Sequence, residues 1–132
     1  MREIRDSAQI HRNDDLLIPQ AKWCASFGRK LRGFTFTRRA PAWPPQTAAD
    51  ALVLVETSDG RLNTSIHMLF VSFDLGVVWV NSAGEVVDTV LAKSWRPSYA
   101  PQAPARYVIE AHPAILEHVR VGDRIRFEAI IG

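Results

Sequence analysis

Apolar positions come in short, separated runs whose spacing changes along the chain. Leu16-Leu17-Ile18 is a brief apolar trio before Pro19 and reads as a short strand. From Ala21 to Leu31 the spacing becomes helical. Trp23, Phe27 and Leu31 fall at i, i+4 and i+8 with Cys24 beside them, while Lys22, Arg29, Lys30 and Arg32 fall elsewhere. Gly33 suits the end of that helix, and Phe34-Thr35-Phe36-Thr37 alternates as a half-buried strand does. Ala51–Glu56 is apolar enough for a strand covered on both faces, with Ser58-Asp59-Gly60 as a turn. Asn63–Met68 leads into Leu69–Phe73, predicting a strand over 66–73, and Asp74 with Gly76 separates it from Val77–Val80. Asn81–Gly84 then joins Val77–Val80 to Glu85–Leu91 as a hairpin. Arg106–Glu110 is a further strand, Pro113 opens a short helix to about His118, and Val121-Gly122-Asp123 turns into the alternating segment Arg124–Ala129.

About seven strands at short spacing and two short helices predict a mainly β domain, α+β at the margin, built as a compact antiparallel β-sandwich or barrel. The charged first residues read as a loose arm over 1–15, ahead of a single domain over 16–132. Two segments lack any period. Ala40–Asp50 holds Pro41, Pro44 and Pro45 around Trp43, and 94–105 combines Pro97, Pro101 and Pro104 with Trp95 and Tyr99. Loops of this length usually carry function or are disordered, and the aromatics argue against disorder.

Composition narrows the classes. At 132 residues, 47% hydrophobic and 23% charged, the chain matches globular averages, so wholesale disorder is excluded. The longest apolar run, Met68–Val80, is short of the roughly 20 residues of a membrane helix. No apolar segment follows the charged N-terminus, so a cytoplasmic location is expected and a membrane partner is not. Cys24 is the sole cysteine, which rules out an internal disulfide and a multi-cysteine zinc site. Net charge is +2, with Arg29, Lys30, Arg32, Arg38 and Arg39 forming a local cationic run. That run is either a solvated face or a polyanion-binding patch, and no nucleic-acid reader motif accompanies it.

The run Ile66–Val80 followed by Gly84-Glu85-Val86-Val87 resembles the family called domain of unknown function 192. Ser94-Trp95-Arg96-Pro97 is similar to that family's proline loop. Pro104–Glu110 is similar to its "PA-x-YVLE" strand, Val121-Gly122-Asp123 to its "VGD" turn, and Gly33–Arg38 more weakly to its "GLMFR" segment. The resemblance covers roughly residues 20–128 and implies a small, sandwich-like β domain with no established enzymatic activity, often found behind a signal peptide. This chain departs from the pattern at Ser65–Met68, where many members carry Trp-Met-Lys-Asn-Thr, and at His112-Pro113-Ala114, where they carry Pro-Ala-Gly.

Chemistry is sparse. His67 is either a core histidine or an acid, base or ligand. His112 and His118 lie six apart, about 240° around a helix, and so do not share a metal-binding face. Ser65 beside His67 is no triad, and there is no Gly-x-Ser-x-Gly, Walker or His-Glu-x-x-His motif. Cys24 sits among apolar neighbours and reads as a buried thiol; Asp59 and Asp123 read as turn residues. No catalytic residue, metal ligand or cofactor is assigned. The first reading is a non-catalytic domain binding a small molecule or a protein through Asn63, His67, Trp95, Arg96 and Tyr99, where flat rings beside a guanidinium make a stacking surface. The alternatives are a hydrolase or metal-assisted enzyme using His67, and polyanion binding through Arg29–Arg39. Oligomeric state is not readable.

Overall fold

The computed structural model describes residues 3–25 and 39–130. Its strands are β1 (Ser7–Arg12), β2 (Asp15–Cys24), β3 (Ala51–Gly60), β4 (Leu75–Val80), β5 (Val86–Ala92), β6 (Ala105–Ala111) and β7 (Ile125–Ala129). They form one sheet in the order β5-β4-β6-β3-β2-β1-β7. The mainly β class and the number of strands, about seven expected and seven among the described residues, match expectation, though not every strand is the one expected. The sheet is mixed rather than wholly antiparallel, because β2 and β3 run parallel, with Trp23 opposite Val53 and Cys24 opposite Leu54. It is also open rather than closed into a barrel.

Where the sequence suggests a loose arm, β1 lies between β2 and β7 with Ala8 and Ile10 fully buried. Its two apolar side chains fall at period two, a signal hidden by the surrounding charges. Pro19 lies inside β2 because the register shifts there. Ala8 faces Ala21 and Ile10 faces Ile18, so two residues oppose Gln9 and the missing N–H of Pro19 falls at a bulge.

The helix expected from Ala21 is a strand over Ala21–Cys24. Ala21 and Trp23 enter the core while Lys22 points outward, a two-residue alternation inside what looks like a four-residue spacing. The rest of that helix, the Gly33 cap, the strand 34–37 and four of the five cations of Arg29–Arg39 lie outside the described residues; Arg39 is exposed. The expected turn Ser58–Gly60 instead ends β3, and Asp59 reaches the β4–β5 turn, accepting from the Ser82 backbone N–H at 2.9 Å and hydroxyl at 2.7 Å. The helix placed at Pro113 is a 3-10 turn, Pro113–Glu117, with the His112 side chain accepting from the Ala114 N–H at 2.9 Å.

Both sheet faces are buried. One face gathers Ile10, Ile18, Trp23, Val53, Val78, Ile109 and Ile125, joined by Ile115 of the 3-10 turn and by Val119 just beyond it. Ile115 presses so close to β4 that a β-carbon at Gly76 would stand 2.5 Å from its Cγ2. The other face gathers Leu52, Leu75, Val77, Trp79 and Val108 with Ile66, Met68 and Val71. At one corner the outer strands touch, through Val86 N–H to Asp123 C=O at 2.9 Å and Ile125 N–H to Gly84 C=O at 2.7 Å.

Candidate binding surface

The strand expected over 66–73 is an irregular loop. Ile66 alone forms a bridge, to Tyr99, and the run then turns, with the Val71 N–H returning to the Met68 carbonyl at 3.1 Å. Phe70 sits at φ +63°, a left-handed conformation that ends any ladder. Burial alternates through Thr64, Ile66 and Met68 and slips by one residue at Val71, past the turn, although the unbroken apolar run suggests a strand.

This loop is laced to the segment after β5. Ile66 and Tyr99 exchange both backbone hydrogen bonds at 2.9 Å, the Met68 N–H donates to the Arg96 carbonyl at 2.8 Å, and the Trp95 N–H donates to the Met68 carbonyl at 2.8 Å. Side chains add fasteners. The Arg61 Nε–H donates to the Pro101 carbonyl at 2.9 Å, and buried Trp79 donates through Nε1 to the Thr64 carbonyl at 2.8 Å. Asp74 accepts from the Ser94 N–H at 2.9 Å and from Lys93 Nζ at 3.2 Å, and these donors hold its carboxyl below the usual range.

The backbone therefore brings together the two segments that the five candidate residues come from, and the residues divide by role. Asn63 is used locally, donating to the Ser58 carbonyl at 3.1 Å. Tyr99 packs against the core and its hydroxyl accepts from the Lys93 N–H at 2.8 Å. His67, Trp95 and Arg96 are exposed. Trp95 is 54% exposed and meets Phe70, 49% exposed, edge to face with ring centroids 5.2 Å apart. Trp95 has φ +65°. Two large aromatics thus occupy left-handed backbone, each costing of order 1–3 kcal/mol, to stand side by side in solvent. Sequence reasoning missed Phe70 because the strand reading gave it a place in the sheet.

The other proline-rich loop is pinned. Trp43 packs on the core and stacks on His118, centroids 5.2 Å apart. Beneath it, buried Asp50 accepts from the N–H groups of Ala42 at 2.9 Å, Gln46 at 2.9 Å and Thr47 at 3.1 Å. Burial alone would raise its pKa, but those donors and the Arg39 charge hold it below the usual value.

For catalysis, His67 has no carboxylate or hydrogen-bond partner among the described residues, and no group of three metal-binding side chains occurs among them. A cleft of about 280 Å³ lies elsewhere, lined by Arg12, Leu16, Leu17, Glu117, His118 and Arg120 with Asp15. Cys24 is buried, as expected, but on a strand. The sequence gives little sign of Glu110, a carboxyl only 6% exposed on β6, between Leu52 and Val77. Its one outward mark is a charge ending the apolar run Tyr107-Val108-Ile109. Burial pushes its pKa up to about 7.

Fold and surface define a mainly β domain with a mixed seven-stranded sheet and an aromatic-bearing pair of laced loops. The chain belongs to the domain of unknown function 192 family (Uncharacterized ACR), which it matches over residues 11–127. A UPF0127 protein of Pyrococcus furiosus is 39% identical over 114 residues, 85% of this chain and 90% of that one. A UPF0127 protein of Thermococcus kodakarensis is 42% identical over 113 residues, 83% and 71% of the two chains. Among solved structures, a putative transcription regulator from Sinorhizobium meliloti superposes with TM-score 0.73 at 12% identity, covering 96% of this chain and 98% of that one. A protein of unknown function from Novosphingobium aromaticivorans gives TM-score 0.70 at 11% identity, covering 91% and 84%. At such identities these two speak for the fold alone. No described helix is long and apolar enough to cross a membrane.

Proposed function

We propose that this protein is a non-catalytic binding domain that docks a protein segment on the surface formed by Trp95, Phe70, Arg96 and His67. The observation that carries it is the Phe70–Trp95 pair, two exposed rings in contact at left-handed positions. The left-handed angles close the loop backbone, but glycine would take them without strain, so two exposed rings kept at these positions point to use. Both rings are about half exposed and meet edge to face, an open arrangement that suits a peptide laid across them better than an enclosed small molecule. Arg96 is exposed beside the rings, and the nearby Asp74 is already engaged by Lys93 and Ser94, so the partner expected is an apolar side chain flanked by a carboxylate. Buried Cys24 suits a reducing compartment and supports cytoplasmic residence.

The test is selection of random displayed peptides on the whole protein. Enrichment of apolar-acidic sequences, lost when Phe70→Ala and Trp95→Ala are combined, is the expected result. Failure to enrich, or enrichment indifferent to both substitutions, defeats the reading.

A further inference from the structure

We infer that the cleft between the β1–β2 hairpin and the end of the 3-10 turn Pro113–Glu117 binds a free aliphatic α-amino acid. This site is independent of the aromatic surface. Its frame is rigid. The Arg12 Nε–H donates to Asp123 Oδ2 at 2.8 Å, and the same oxygen accepts from the Arg120 N–H at 2.8 Å. The hairpin turn is tied down by Asn13, whose N–H donates to the Arg124 carbonyl at 2.7 Å and whose Oδ1 accepts from the Arg124 N–H at 3.0 Å. His118 is held from behind by the Trp43 ring. The charge-assisted bonds fix the backbone from which the exposed Asp15, Glu117 and Arg120 side chains project, so the positions of the charged groups are set by the frame while their side chains order on binding.

The lining selects the ligand by charge. Arg120 brings a guanidinium beside Arg12, whose Nε is already held by Asp123, and Asp15 and Glu117 bring two carboxylates. Among the described residues, neither carboxylate nor the Arg120 guanidinium is engaged in an ion pair or side-chain hydrogen bond. A simple anion entering the cleft meets the two acids, and a simple cation meets the Arg120 guanidinium. A molecule carrying both charges on neighbouring atoms satisfies both sets at once. Leu16, half exposed, and Leu17 supply an apolar wall for an aliphatic side chain. The volume of about 280 Å³ is small, below the roughly 300–1,000 Å³ typical of larger ligands.

Titration of the whole protein with leucine, isoleucine, valine and methionine, followed by amide resonances, tests this. The expected result is saturable shifts at Leu17, His118 and Arg120 with at least one of the four. Binding should weaken about tenfold or more when the ligand is replaced by 4-methylpentanoate, which lacks the amine, or by 3-methylbutylamine, which lacks the carboxyl. Glu117→Gln and Arg120→Gln, both at exposed positions, should each weaken binding by a similar factor while the rest of the spectrum stays in place. No shift with any of the four amino acids, equal shifts with the singly charged analogues, or binding indifferent to both substitutions overturns the inference. Because the readout lies on residues remote in sequence from 66–70 and 95–99, its outcome is separate from that of the peptide selection.

Discussion

The two faces of the sheet are covered in opposite ways. Over the first, the proline-rich loop 40–50 turns its tryptophan inward, stacks it on His118, and hangs its backbone on one buried carboxylate that accepts three N–H groups. Over the second, the laced loops send Ile66, Met68 and Val71 inward and leave Trp95 and Phe70 outside, while a carboxyl without an ionic partner among the described residues, Glu110, is buried in the sheet itself. The first face uses its polar groups to fix a loop. The second tolerates a buried acid and exposed rings, neither of which favours folding. Composition alone does not separate two loops that both combine prolines with tryptophan; what separates them is that the carboxylate fastening the first, Asp50, is buried, whereas Asp74, fastening the second, is partly open to solvent.

The largest expected effect sharpens the contrast through pH. Glu110 rises from an ordinary value of 4.5 to about 7 in the folded protein. Below pH 4.5 both states hold the proton and the difference vanishes. Between 4.5 and 7 only the unfolded state releases it, so stability falls as pH rises, by about 3 kcal/mol in all, and levels off above 7. Glu110→Gln should flatten this slope in denaturant titrations run across that window, and an unchanged slope would assign it to other groups. Asp50 has the opposite sign. Its lowered pKa means that stability is lost as pH falls below the usual carboxylate range, and Asp50→Ala should cost about 2–3 kcal/mol by removing the shared acceptor of three part-buried N–H groups. Thermal melts at neutral pH check this, and a loss under about 0.5 kcal/mol would erase the distinction between the loops.

Smaller effects compare the two tryptophans directly. Trp43→Ala should destabilise by about 1–3 kcal/mol, since a half-buried ring and its stacking partner are lost. Trp95→Gly should change stability by no more than about 0.5 kcal/mol, because glycine relieves the φ of +65° while the lost ring is largely solvated. Equal melting shifts for the two variants would mean that the exposed pair also holds its loop in place.

Much of the fold is legible in the sequence where period and burial agree. The β4–β5 hairpin, β6, β7 and the proline-initiated turn all fall where the pattern places them. The failures share a cause. At β1 the strand is two apolar residues among charges, and its burial comes from neighbours remote in sequence. At Trp23 three apolar residues fit a helix and a strand alike, and pairing with Val53 decides. At 66–73 the apolar run suggests a strand, but left-handed Phe70 turns the chain and no ladder forms beyond the Ile66 bridge. For the binding surface, the meeting of the two segments is foreseeable from their aromatics and polar residues. The division of Tyr99 and Asn63 to the frame, and of Trp95 and Phe70 to the outside, depends on backbone angles that no composition reveals.

The position of β1 carries a kinetic consequence. Its outer margin is paired only by β7, Ala8 against Ala129 and Arg12 against Ile125. During synthesis β1 must therefore wait with one side bare until β7, distant in sequence, emerges. Such distant pairing slows folding, and unprotected strand margins invite association with other nascent chains. Completion of the sheet, rather than its initiation, is the step at which this polypeptide becomes safe from its neighbours.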